Sequence, residues 1–464
     1  MKVIVKQGQQ GIGEKMSLLK NREQLTGEVI TREHIFYEAE RRMWNRAIEK
    51  YPLAIVFCRT EEDVRNSILW AKEQQVPIRI RSGRHHYAGY STGNDVLVID
   101  VSCMNGIVVD EVAGSVTIEG GVRNRELYEA VCQKGYPFPG GGCPTVGAVG
   151  FALGGGWGYS ARFLGLGCDA IEEVTLINYE GKRIIANKTQ NADLFWALKG
   201  SGGGQFGVVV KMRFKLPAKT EEATLLRLDF SHVTRNMQID LWKLWQETIS
   251  SACPEVNFKI SFYNSREKGI GVLLIGIYYG GIQKAHEIVA PFIALGEKID
   301  VTVRPMTVLE VNRWIQDAHP DFEHYVSSGR FVKEAFEEEK LHTLLDLINT
   351  RPEGSYYTAV SGYGLGGNIR KRNAQEASFA YGESAYILGF QSVWEDNKES
   401  YQNQQWFKPK FEIIKQLTVG SFVNFPSEQL DAYREAYYAY NKERLIKVRE
   451  KYDPYNVFNF EQGL

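Results

Sequence analysis

Two adjacent histidines, His85 and His86, stand in the stretch RSGRHHYAGYS (81–91) of a chain with only eight histidines. A neutral imidazole can move a proton, hold a metal or form a covalent bond to a ligand. Here the pair follows a strand-like run, PIRIR (77–81), beside Gly83. The end of a strand in an α/β unit is where ligands bind. A surface turn with solvated imidazoles explains the same composition, which alone does not separate the two. Cys143, between Gly142 and Pro144, is the second reactive group. From its spacing it reads as a small buried hydrophobe, the usual fate of a free cysteine. A thiolate that bonds covalently is the alternative. None of the six cysteines forms a CxxC pair, so no metal site is expected, and their low density does not suggest a disulfide scaffold.

Glycine surrounds both groups. The tract 138–160 holds Gly140, Gly141, Gly142, Gly147, Gly150, Gly154, Gly155, Gly156 and Gly158. Such density lets backbone amides approach an anion, and a dinucleotide pyrophosphate is a natural ligand. Phe151, Leu153 and Trp157 interrupt the tract, which argues against a polar linker. A second tract, GGGQFG (202–207), fits GxGxxG. The dinucleotide fingerprint needs a strand before it and a helix after it. Here NADLFWALKG reads as a helix before it and VVVKMRFKL as a strand after it, which excludes the Rossmann arrangement.

The elements that must position these groups follow from periodicity. AIVFC (54–58) predicts a buried strand, and TEEDVRNSILWAKEQQ a helix capped by Thr60. DVLVIDVS and SVTIEGG predict further strands, and RNRELYEAVCQKG a helix stopped at Gly135. AIEEVTLINYEGKRII reads as a hairpin, and Pro217 followed by AKTEEA as a junction. Beyond it, TLLRLDF, FKISFY, GVLLIGIYYG and SAYILGFQSVW read as strands, with helices between them such as NMQIDLWKLWQETISS and AHEIVAPFIAL. This predicts an antiparallel sheet with helices on one face. LDAYREAYYAYNKERLIKVREKYDPYNVF predicts one long helix stopped at Asp453-Pro454.

Bulk properties narrow the partners. A chain of 464 residues is too long for one ordinary core, so two domains are expected. A formal net charge of −1 argues against nucleic acid and membrane as partners. The first residues, MKVIVKQGQQGIGEKMSLLKNREQ, lack a sustained apolar core, so no signal peptide is read and a cytoplasmic location is expected.

Four stretches in order, RSGRHHYAGYS, GCPTVGAVGFALGGGWG, DLFWALKGSGGGQFGVV and DPYNVF, resemble the berberine bridge enzyme-like FAD-linked oxidases, which share the vanillyl-alcohol-oxidase (PCMH) type of FAD domain. The resemblance is dense over 44–216, thinner over 360–464 and weak between. It implies a two-domain α+β flavoprotein: an FAD-binding domain over 30–216, a substrate domain with an antiparallel sheet over 217–425, and a helix and tail over 426–464 that return to the first domain.

Residue by residue, the family's R-S-G-G-H-x-Y-x-G falls on Arg81, Ser82 and Gly83, with Arg84 in place of the second glycine. A glycine there reaches φ > 0 freely and an arginine does not. The motif histidine is His85, which the resemblance implies is bonded to the flavin, with His86 beside it as a variable neighbour. C-P-T-V-G places a second flavin bond on Cys143, followed by Thr145, Val146 and Gly147. FAD would then be bicovalent. Val146 implies access for oxygen and release of hydrogen peroxide. Gly150, Gly154, Gly155, Gly156, Gly158, Gly207, Val208 and Val209 are expected around the cofactor's phosphates, ribose and adenine, and Asn456 near the flavin.

The substrate half departs from the family pattern. Phe422 and Phe425 stand where sugar-oxidising members carry tyrosines, the second of which is their base, with Asn424 between them. Gln391 falls where alkaloid-cyclising members carry a glutamate, and Tyr381 replaces a common histidine. Neither phenylalanine nor an amide is a base. Tyr87 and Tyr381 are therefore the phenols expected to matter, with Gln391 as a hydrogen-bonding group. The implied function is oxidation of an alcohol or amine C–H of a small natural-product-like substrate, with O2 as acceptor. A carbohydrate oxidase, a dehydrogenase using another acceptor, and a low-turnover coat-associated flavoprotein are the alternatives.

Overall fold

The computed structural model describes residues 20–220 and 222–464. The amino-terminal stretch read above for a leader lies, through residue 19, outside the described residues, as does Glu221 in the predicted junction.

The first sheet contains β1 (Glu28–Thr31), β2 (Ala54–Phe57), β3 (Ile78–Arg81) and β4 (Leu97–Asp100), in the order β1-β2-β4-β3. β2, β4 and β3 are parallel, and β1 pairs antiparallel at the edge. Parallel strands are covered on both faces, which is why Ala54, Ile55 and Val56 and all of β4 are buried. The crossover from β2 to β3 is the helix Glu61–Glu73. It starts where expected: the Asp63 amide donates to Thr60 Oγ1 at 3.1 Å, and the Thr60 amide donates to Asp63 Oδ2 at 3.0 Å.

A second sheet holds β5 (Ile107–Asp110), β6 (Ser115–Glu119), β7 (Ile171–Ile177), β8 (Arg183–Asn187) and β9 (Val208–Lys215), antiparallel throughout in the order β5-β6-β9-β7-β8. The glycine tract 200–207 lies between the helix Ala192–Ala197 and β9, the order that excludes the Rossmann fingerprint.

The third sheet is seven-stranded and antiparallel, in the order β13-β10-β12-β11-β15-β16-β14. Its strands are β10 (Glu222–Ser231), β11 (Val256–Ser265), β12 (Gly269–Tyr278), β13 (Ile299–Thr307), β14 (His324–Val332), β15 (Ser355–Gly364) and β16 (Tyr386–Trp394). Helices cover one face. Trp242 stacks on Phe262 at 4.4 Å, and Phe407 on Phe390 at 4.8 Å. Strand alternation sends Lys259, Tyr363, Tyr357, Gln391 and Tyr325 to the opposite face, where register aligns Lys259 with Tyr363 and Gln391 with Ser327.

The terminal helix is not continuous. Tyr433–Tyr438 and Lys442–Tyr452 flank a tight turn at Ala439–Asn441, where Ala439 has φ of 43°. Tertiary bonds override the helical pattern there: Asn441 Nδ2 donates to the Ser378 carbonyl at 2.9 Å, and the Tyr440 hydroxyl to the Ala380 carbonyl at 3.3 Å. The last helix stops at Asp453-Pro454 as expected. Among the described residues no helix is long and apolar enough to cross a membrane.

Candidate active site

The strand β3 delivers the histidine stretch to a cavity of about 570 Å³. Loops of the first two sheets and the polar face of the third sheet line it. At the end of β3 the Arg81 guanidinium is fully buried, with Nε 2.6 Å from Asp100 Oδ2 on β4 and Nη1 donating to the Glu40 carbonyl at 2.9 Å. This buried pair fixes where the loop leaves the sheet. Gly83 then passes so close to Gly147 and Thr145 that an added Cβ would strike the Gly147 nitrogen and the Thr145 oxygen. The loops of His85 and Cys143 are thereby pressed together.

Arg84 has φ of 65°, the left-handed conformation the family glycine would adopt freely. A side chain there costs about 1 kcal/mol or more. Its guanidinium is held by Glu40 Oε2 at 2.5 Å. The same acidic residue thus anchors Arg81 through its carbonyl and Arg84 through its carboxylate.

His85 lines the cavity, with Nε2 2.7 Å from Thr145 Oγ1 and its ring stacked on Trp44 at 5.1 Å. Burial pushes its pKa down to about 3, with Arg123 adding, so the ring is neutral. His86 also lines the cavity but packs on Tyr90 at 4.9 Å, and burial holds it at about 4. The Cys143 loop is tied down by Asn124 Nδ2, which donates to the Cys143 carbonyl at 3.2 Å. Burial pushes the Cys143 thiol up to about 12, with Glu323 adding and Lys259 opposing.

Not every expected residue reaches this cavity. Val146, Gly147, Gly150, Gly207 and Val209 line it, together with Gly202, Gly203 and Gly204. Gly154, Gly155, Gly156 and Gly158 do not: they serve close packing, with Gly158 against the Gly140 carbonyl and Gly156 against Phe151. Val208 is buried in the core beside Ile177. Asn456 is exposed and accepts a hydrogen bond from Arg449 Nη2 at 2.9 Å; Phe458, Asn459, Phe460 and Gln462 of the tail line the cavity instead.

On the other side, Tyr87 packs on Tyr325 at 5.0 Å and on Phe425 at 5.5 Å. Phe422 and Asn424 share this wall, and Asn424 Nδ2 donates to the Phe151 carbonyl at 2.8 Å. Gln391 Oε1 accepts from the Tyr325 hydroxyl at 3.5 Å. Tyr381 stands outside the lining: it stacks on Phe331 at 4.2 Å and donates to the Ala436 carbonyl at 2.7 Å, which withdraws it as a cavity phenol.

The sequence reading missed Trp44, Tyr159, Lys259, His319, Glu323, Tyr325, Tyr356, Tyr357 and Tyr363, all of which line the cavity. A signal was present in β11: in VNFKISFYNS the apolar residues Phe258, Ile260 and Phe262 alternate with Lys259, Ser261 and Tyr263. A polar face on a central strand marks a wetted wall.

Two family models match the chain: an FAD binding domain over residues 52–187, and a berberine and berberine-like domain over 421–464. An uncharacterized FAD-linked oxidoreductase of Bacillus subtilis (strain 168), YgaK, is 30% identical over 450 residues, which cover 95% of this chain and 97% of that protein. The chain belongs to the berberine bridge enzyme-like FAD-linked oxidases. Among solved structures, Physcomitrella patens BBE-like 1 superposes with a TM-score of 0.86 at 24% identity, covering 97% of this chain and 98% of that one. A chitooligosaccharide oxidase does so with a TM-score of 0.86 at 21% identity and the same coverage. This berberine bridge enzyme-like chain is thus an FAD-linked oxidoreductase with the two-domain α+β architecture of its family.

The residues present fit FAD. Ser82 Oγ and Asn124 Oδ1 are buried on cavity-lining residues with no hydrogen-bond partner among the described residues. Gly202, Gly203 and Gly204 add a side-chain-free edge where backbone amides can meet phosphate.

Proposed function

We propose that this oxidase carries FAD bonded to both His85 and Cys143 and oxidises an alcohol or amine C–H of a small aromatic or apolar substrate, passing the electrons to O2. The observation that carries this reading is the shared cavity: His85 and Cys143 line one chamber whose far wall is a ring of phenols. Bound FAD supplies a two-electron acceptor. The neutral His85 ring has a lone pair available for a bond, and Thr145 fixes its orientation. Tyr87, Tyr325, Tyr363 and Phe425 offer flat apolar faces that suit a ring-bearing substrate. Val146 in the lining supports oxygen access.

A carbohydrate oxidase is the second reading, and the polar groups Lys259, Gln391 and Asn424 on the same wall favour it. Anaerobic flavin bleaching and aerobic peroxide release with 4-hydroxybenzyl alcohol, benzylamine and cellobiose separate the two. The aromatic alcohol or the amine is expected to bleach the flavin rapidly and yield one peroxide per turnover. Bleaching by cellobiose alone would shift the assignment to carbohydrate, and bleaching by none would contradict both.

A further inference from the structure

The residues at the family's two base positions, Phe425 and Gln391, cannot accept a proton, yet removing hydride from an alcohol or amine carbon also requires the O–H or N–H proton to leave. The cavity wall contains one carboxyl group among its lining residues, that of Glu323. We propose that Glu323 is the general base of this enzyme, accepting the substrate proton as hydride passes from the adjacent carbon to FAD.

The placement of Glu323 supports this role. It precedes β14 and is tied through its backbone to the residues beside the proposed flavin anchor. Its carbonyl accepts from the Arg46 amide at 2.7 Å, and its amide donates to the Trp44 carbonyl at 3.2 Å. Trp44 in turn stacks on His85. The carboxyl is thus indexed to the histidine by a short rigid path. The Tyr356 hydroxyl donates to Oε1 at 3.3 Å, and no hydrogen bond of the described residues is made at Oε2. One oxygen is held by Tyr356, on a residue that lines the chamber.

The neighbouring groups are poorer acceptors. Burial raises the Tyr87 and Tyr325 phenols well above their ordinary value, so they keep their protons near neutral pH. Lys259 on β11 is a cation beside the ring of Tyr363, 5.0 Å from its centroid. Burial opposes its charge, but Tyr363, Tyr159 and Tyr357 more than restore it. His319 uses Nδ1 on the Ile315 carbonyl at 2.9 Å, and burial lowers its affinity for a proton. Burial raises the Glu323 carboxyl from its ordinary 4.5 to about 7, against the hydrogen bond from Tyr356 and the fields of His319 and Lys259. A base that titrates near the working pH is effective both in receiving the proton and in releasing it.

The step balances. The O–H or N–H proton goes to the Glu323 carboxylate, hydride with its electron pair goes from carbon to FAD, and a C=O or C=N bond forms. O2 then takes the two electrons and two protons as hydrogen peroxide.

This inference rests on the oxidase reading, and the test keeps the two apart. Flavin reduction by 4-hydroxybenzyl alcohol, benzylamine and cellobiose is followed anaerobically from pH 5.5 to 8.5 in wild type, Glu323→Gln and Glu323→Asp. The wild-type rate is expected to rise with pH through about 7 and then level. Glu323→Gln is expected to lose about 10²–10⁴-fold at pH 8 and to lose that limb, and Glu323→Asp to regain part of both. Thermal unfolding gives a readout without turnover. A carboxyl raised in the folded state binds its proton more tightly there than when unfolded. Wild type should therefore lose stability relative to Glu323→Gln as pH rises from 4.5 through 7, with no further change above. Wild-type rates and an unchanged pH limb in a folded, flavin-loaded Glu323→Gln would overturn the base and leave the oxidase standing. Failure of every probe to bleach wild type would overturn both.

Discussion

In the proposed attachment, Thr145 decides which nitrogen of His85 is left to react. Its hydroxyl engages Nε2 at 2.7 Å, so Nδ1 is the atom free to meet a ligand. Thr145→Val keeps the shape and removes that bond. In a Cys143→Ala background, where only the histidine bond remains, Thr145→Val is expected to lower the fraction of flavin retained after denaturation at least several-fold. Retention equal to Cys143→Ala alone would remove Thr145 from the account. At this scale the sequence was readable where a residue sits in a compact motif. His85 and Tyr87 share one compact motif and Cys143 sits in another, and all three line the cavity. Glu323 was not readable, because it is a single charged residue in an ordinary-looking stretch, and Lys259 showed only in the polar alternation of β11. Only the pairing of distant strands gives them a common wall. Tyr381 shows the converse: a phenol at a plausible position in the chain is consumed by a backbone carbonyl, that of Ala436.

At the scale of elements, the buried Arg81–Asp100 pair at the ends of β3 and β4 locks the strand exit that aims His85. Replacing Asp100 by Asn leaves a buried guanidinium without its counter-charge. Losing one partner of such a pair costs about 3–5 kcal/mol. Asp100→Asn is therefore expected to lower stability by that amount in urea unfolding, and to reduce flavin incorporation with it. A change within about 0.5 kcal/mol would mean that the pair does not hold the site. Most strands of the first two sheets were legible because parallel and central strands are almost wholly apolar, as in Ala54–Phe57 and Leu97–Asp100, whereas the edge strands β1 and β5 were not read. β14 and β15 escaped the reading because HYVSSGRFV and SYYTAVSGYG are rich in serine and glycine, and the tyrosines Tyr325, Tyr356, Tyr357 and Tyr363 line the cavity. The terminal helix was overextended for a related reason. Its apolar and aromatic pattern runs through Ala439, but the side chains of Tyr440 and Asn441 are claimed by carbonyls of another segment.

At the scale of the whole molecule, the cavity exists only where three parts of the chain meet. The loops after β3 and around Cys143 form one side, the seven-stranded sheet forms the far wall, and the tail closes the edge. The tail is fastened there: the Leu464 amide donates to Gln205 Oε1 at 3.1 Å, and the Tyr437 hydroxyl to Gln462 Oε1 at 2.5 Å. Such an enclosure suits a cofactor that does not leave, and a permanent double attachment is the central claim of this account. Intact mass spectrometry of the purified chain after denaturation tests it most directly. The wild type is expected at the mass of the polypeptide plus one FAD, with His85→Ala and Cys143→Ala each still carrying the flavin and the double variant carrying none. A wild-type chain found at the bare polypeptide mass, with all its flavin in the supernatant, would contradict it.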